Sequence, residues 1–85
     1  MKTNLQTLEL ERELGRRLRT LREAKGWSQE ELADQCGIHR TYVSQLERGL
    51  KSPTIRLLWS ICDCLSVKPS EYIAQIESAL EEAKR

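Results

Sequence analysis

No apolar run in this chain approaches the ~18 residues needed to cross a bilayer. Its beginning is broken by Thr3, Asn4, Gln6 and Thr7, where a secretory signal would carry an apolar core. These absences predict a cytoplasmic protein with no membrane partner. Metal-ligand spacing is missing too. Three cysteines, Cys36, Cys62 and Cys64, accompany a single histidine, His39. Cys62 and Cys64 sit two positions apart, about 200° around a helix, and cannot grip one ion together. Buried reduced thiols are expected, with no metal and no cofactor. The sequence has no acid–base pair, nucleophile triad or phosphate-cradling glycine loop, and 85 residues leave little room for a catalytic pocket. Cys36, the obvious nucleophile candidate, falls on the buried face of its helix without a base nearby in sequence. An enzyme is not expected. Repeats, low-complexity segments and long linkers are also missing, so residues 1–85 read as a single domain.

Charge of one sign is lacking overall, since the net is only +1. Its distribution is uneven. Residues 37–56 carry +3, from Arg40, Arg48, Lys51 and Arg56 against Glu47, whereas residues 71–85 carry −2. A basic middle and an acidic tail orient an approaching polyanion.

What the sequence does contain is helical spacing, with no segment alternating at period two over a strand's length. Leu10, Leu14, Leu18 and Leu21 form a stripe on a first helix, about Thr7 to Lys25, stopped by Gly26. Residues 1–6 are expected to fray. Ser28 and Glu31 form a capping box opening a second helix, with Trp27 placed as a hydrophobic staple toward Leu32. Leu32, Ala33 and Cys36 make its apolar face, Gly37 ends it in a left-handed turn, and Ile38 plugs the corner. A third helix, about Arg40 to Glu47, buries Val43 and Leu46 and is followed by Gly49. Pro53 or Thr54 opens a fourth, whose apolar face is Ile55, Leu58, Ile61, Cys62 and Leu65, with Val67 closing that core. Pro69 starts a fifth helix reaching toward Lys84, with Tyr72, Ile73, Ile76, Ala79 and Leu80 on its apolar face. The expected fold is an all-α, compact five-helix bundle with a central helix-turn-helix.

The second and third helices carry the chemistry. The first turns of a helix laid in the major groove come closest to base edges. Arginine can bond guanine O6 and N7 with parallel donors, and glutamine can pair with adenine N6 and N7. Arg40 and Gln45 are those types on one face. Thr41 adds a hydroxyl and a methyl, and Ser44 allows close approach. These four are the candidate base contacts on double-stranded DNA. Gln29, at the positive end of the second helix, suits a phosphate. Arg48, Lys51, Ser52 and Thr54 form a second candidate phosphate clamp, with Lys51 equally readable as a solvated loop charge. Tyr42 joins the backbone-contact set.

Leu14 to Arg22, Trp27-Ser-Gln-Glu-Glu-Leu-Ala, Gly37-Ile38, Ser44-Gln-Leu-Glu-Arg-Gly49 and Pro53-Thr-Ile together resemble the Cro/CI-type (XRE) helix-turn-helix family, over about Leu14 to Ile73. Within that family, His39 to Ser44 and the small size resemble restriction–modification controller proteins. The resemblance implies a lambda-repressor-like fold and a bacterial or phage transcriptional regulator working at the nucleoid. It implies a homodimer on a near-palindromic operator and a structural ion pair between Arg22 and Glu47. His39 departs from the usual Ser, Thr or Asp cap, which turns it toward a phosphate. Trp59 stands where members often carry Leu, and the fifth helix is long. Trp59, Ile73, Ile76 and Leu80 are therefore the candidate dimer surface, with residues 70–85 as a possible dimerisation element. The alternative function is an antitoxin-like or other protein-interaction module that uses the C-terminal helix.

Overall fold

Local capping chemistry divides the chain into its elements. The computed structural model describes residues 5–84, and side chains from residue 9 onward. Helix α1 spans Leu5–Ala24, α2 Gln29–Cys36, α3 Arg40–Glu47, α4 Ile55–Cys64 and α5 Pro69–Ala83, with no strand among the described residues. The fraying expected for residues 1–6 meets helix from Leu5 onward, while residues 1–4 lie outside the described residues.

At α2, the Ser28 hydroxyl accepts from the Glu31 N–H at 3.0 Å, and the Ser28 N–H donates to the Glu31 carboxylate at 2.7 Å. Two orphan donors of the first turn are thereby satisfied. The helix ends where Gly37 turns left-handed at φ 70, ψ 34, and the Ile38 N–H donates back to the Ala33 carbonyl at 3.0 Å. Thr54 caps α4, its hydroxyl accepting from the Leu57 N–H at 3.1 Å. Pro69 occupies the first turn of α5, where its missing N–H costs nothing. His39 precedes α3 in extended backbone but makes no side-chain cap hydrogen bond.

Two apolar clusters hold the helices together. Leu18, Leu32, Ala33, Val43, Leu46, Ile61 and Leu65 form one beneath α2 and α3, with Trp27, Cys36, Ile38 and Tyr42 packed against its edge. Leu14, Leu58, Cys62, Tyr72 and Ile76 form the other, which seats α5. Leu21 and Val67 touch both clusters and join them. Each fully buried Leu or Ile contributes about 1.5–3 kcal/mol. The Tyr72 hydroxyl satisfies its polar tip by donating to the Leu14 carbonyl at 2.6 Å. Between α1 and α3 the backbones nearly touch. A Cβ on Gly15 would meet the Leu46 carbonyl oxygen and lie 2.7 Å from that of Glu47.

Periodicity overstated two of the apolar stripes. Leu10 and Ile55 were expected inward yet are exposed. Ile73, expected on the apolar face of the fifth helix and as a dimer-surface candidate, is also exposed. Ile55 is the first residue of α4, on the turn that precedes packing. Ile73 follows buried Tyr72 by 100° of helix and clears the interface. Ile76 departs in the opposite sense from its expected place on a dimer surface. It is buried in the chain's own core against Leu14, Leu58, Cys62 and Tyr72. Cys36 is half-buried rather than buried.

Candidate nucleic-acid interface

The α2–turn–α3 unit is positioned by one carboxylate. Arg22, on α1, donates from Nε to Glu47 Oε2 at 2.6 Å and from Nη2 to Oε1 at 3.0 Å. Its remaining Nη1 donates to the Trp27 carbonyl at 2.7 Å. The Gln29 amide reaches the same carboxylate, Nε2 to Glu47 Oε1, at 3.0 Å. The end of α3 is thus tied to α1, to the loop before α2 and to the first turn of α2. The hydrogen bond to Glu47 holds the Arg22 guanidinium above its ordinary pKa against the opposing effect of burial. A fork-to-fork pair fixes direction as well as distance.

With its rear face held, α3 turns polar groups outward. Arg40 and Thr41 are exposed, and Ser44 and Gln45 half-exposed, while Val43 and Leu46 between them are fully buried. Arg40 also lines a shallow depression with Ser28, Gln29 and Glu30 at the start of α2. The leading end of α3 and the positive end of α2 therefore border one concavity. Gln29 sits in it, with one amide N–H donated to Glu47 and the second amide hydrogen and the backbone end of the helix left for an anion.

The other candidate contacts divide by environment. His39, Arg48, Lys51, Ser52 and Thr54 are exposed. Arg48 folds back, its Nε donating to the Ser44 carbonyl at 3.4 Å. The Thr54 oxygen accepts as a helix cap, which leaves its own O–H to donate outward. Tyr42 is half-buried and packs its ring on the main cluster.

On α4, Trp59 is 58% exposed and Ile55 70%, and both flank a shallow surface with Arg56, Ser60 and Asp63. Trp59 also borders Val67, Lys68 and Pro69 at the start of α5, one turn before exposed Ile73. Leu80 is half-buried against the second cluster. Exposed Ile55 and Leu50 were missed as surface candidates because helical spacing assigned Ile55 inward. Gly15 was missed because a close backbone approach leaves no local pattern. Among the described residues no group of three or more metal-ligating side chains converges, and no helix is long and apolar enough to cross a membrane.

The helix-turn-helix family pattern matches residues 18–72. The chain is 39% identical over 70 residues to the HTH-type transcriptional regulator SutR of Escherichia coli, covering 82% of this chain but 39% of SutR. Among solved structures it resembles the clp gene regulator ClgR of Corynebacterium glutamicum, with TM-score 0.81, 31% identity and coverage of 88% of this chain and 80% of that one. It also resembles the restriction–modification controller protein C.Esp1396I, solved as a tetramer with its natural 35 base-pair operator. There the TM-score is 0.74 and the identity 28%, covering 84% of this chain and 93% of that one. This chain belongs to the helix-turn-helix family, in its XRE (Cro/CI) branch, among relatives that are transcriptional regulators rather than enzymes.

Proposed function

We propose that the chain is a sequence-specific regulator that binds double-stranded DNA by laying α3 in the major groove. The observation that carries this reading is the outward set of exposed Arg40 and Thr41 and half-exposed Ser44 and Gln45 on a helix whose Val43 and Leu46 are fully buried and whose end is locked by Arg22–Glu47. Arg40 and Gln45 read base edges, Thr41 and Ser44 supplement them, and His39, Arg48, Lys51, Ser52 and Thr54 hold phosphates beside the positive end of α2. Tyr42 props the helix from below and offers its hydroxyl to the backbone.

The chain acts as a homodimer on a near-palindromic operator, because one α3 spans too few base pairs to select a site. Exposed Trp59, Ile55 and Ile73 are the apolar surface that self-association would cover. Likeness to an operator-bound controller protein supports a role of the same kind, carried out on DNA in the bacterial cytoplasm. Selection of bound sites from random duplex DNA tests the reading. The expected outcome is paired half-sites centred about 34 Å apart, one helical turn. Enrichment of single half-sites would remove the dimer, and no enrichment would remove sequence-specific binding.

Exposed Ile73 on an acidic α5 also fits a docking helix for another protein. Removing α5 cannot separate the readings, because Tyr72 and Ile76 would leave the core with it. Ile73→Glu can: a dimer that persists at full tightness frees that face for a different partner.

A further inference from the structure

Two of the three cysteines sit at neighbouring helix ends. Cys36 closes α2 and Cys64 closes α4, both half-buried, whereas Cys62 is buried. The Cys64 thiol donates to the Gln35 carbonyl at 3.3 Å, which puts its sulfur within one peptide unit of Cys36. Cys36 is the next residue along, and the nearby Cys64 side chain adds to the burial that raises its thiol pKa. Cys62 faces away, into the cluster of Leu14, Leu58, Tyr72 and Ile76, while Cys36 packs against the cluster beneath α2 and α3. The contact therefore joins the last residue before the helix-turn-helix corner to a helix outside that motif.

We propose that Cys36 and Cys64 are a dithiol that a low-molecular-weight disulfide oxidises to an intramolecular disulfide, tying α2 to α4 while Cys62 stays reduced. Burial first, and then the adjacent Cys64, push the Cys36 thiol up to about 12, which makes it a poor initiator. Cys64 begins the exchange. Its thiolate attacks one sulfur of the small disulfide RSSR, forming a Cys64–S–S–R mixed disulfide and releasing RS⁻. Cys36, losing its proton to hydroxide as it reacts, attacks the Cys64 sulfur and expels the second RS⁻, and the two RS⁻ take from solvent the two protons that the protein thiols released. Two protein thiols lose two electrons and two protons, and RSSR becomes two RSH. Closing the loop between α2 and α4 removes freedom from the unfolded chain and fixes the corner of the motif against the core.

The full chain incubated with oxidised glutathione, then denatured, alkylated and weighed, tests this. The expected product is a monomer lighter by two hydrogens with one alkylated thiol, Cys62, and with Tm raised on the order of 10 °C until dithiothreitol is added. Cys62→Ser should close in the same way. Cys36→Ser should stop at a Cys64–glutathione adduct, and Cys64→Ser should remain open. Three alkylated thiols in the parent chain, a disulfide between two chains, or closure that survives Cys36→Ser would overturn the proposal.

Discussion

Arg22 and Glu47, 25 positions apart, meet in a two-pronged ion pair whose side chains are only 10% and 4% exposed. Glu47 accepts a third hydrogen bond from Gln29, and Arg22 donates a third to the Trp27 carbonyl. Removing either partner strands the other charge in a site with little water. Arg22→Ala or Glu47→Ala should each cost about 3–5 kcal/mol in urea denaturation. A double Arg22→Met, Glu47→Leu variant should lose less than the two singles together. Full additivity would show that the two side chains act independently.

Gly15→Ala forces a methyl onto the backbone of α3. The Leu46 and Glu47 carbonyls it would strike are backbone of α3, that of Leu46 accepting from the Gly49 N–H at 3.1 Å, and cannot swing aside like a side chain. A loss of about 1–3 kcal/mol is expected, read as a lowered Tm. An unchanged Tm would mean that α1 can slide along α3.

Arg40→Ala should cost about 1–3 kcal/mol of operator affinity and relax preference at one base position. Lys51→Ala should weaken all sequences alike and reduce the slope of log K against log salt by about one. Fluorescence anisotropy on an operator and its single-base variants separates the two. A base-selective loss at Lys51, or a uniform one at Arg40, reverses those roles.

Trp59→Ala and Ile76→Ala should part company. Trp59 is largely exposed, so its loss should leave monomer stability within about 0.5 kcal/mol. Its dimer should weaken by about 30-fold, as for an interface anchor worth ~2 kcal/mol. Ile76 is 3% exposed, and its truncation should cost about 2–5 kcal/mol of folding stability. Sedimentation and chemical denaturation run on both variants check the pair.

Alkaline pH should destabilise the fold through three acids, Tyr72, Cys62 and Cys36, each raised first of all by burial. Burial raises the Tyr72 hydroxyl above its ordinary value, and the Cys36 thiol rises from 9.0 to about 12. A group that holds its proton more tightly when folded contributes fully below its unfolded pKa and loses that contribution as pH climbs toward the folded one. The urea midpoint should therefore hold to about pH 9 and fall beyond it. Tyr72→Phe should cost about 1 kcal/mol at neutral pH by removing the bond to Leu14. It should also flatten the decline above about pH 10. A decline of undiminished slope in that variant would assign it elsewhere.

Helix existence was legible because it depends on local chemistry. Ser28 and Glu31 sit three apart, Gly37 supplies a left-handed turn, and Pro69 opens a helix wherever these residues occur in a chain. Burial was less legible. Leu10, Ile55 and Ile73 satisfy the same spacing as Leu14, Leu58 and Ile76 but lie where no partner helix covers them. Periodicity marks which side of a helix is apolar and does not say how far along the helix the neighbour extends.

The sequence by itself determined five helices, the capped ends at Ser28, Gly37 and Pro69, and the polar residues on α3, since these follow from side-chain types within a few positions of one another. Only the tertiary structure decided that Gly15 lets α1 touch α3, that the Cys64 thiol reaches the Gln35 carbonyl next to Cys36, and that the Gln29 amide donates to Glu47. It also put Ile76 in the core and left Trp59 and Ile55 outside it. Those outcomes depend on the distances between helices, which the packing of the two clusters sets jointly and no single stretch of chain encodes.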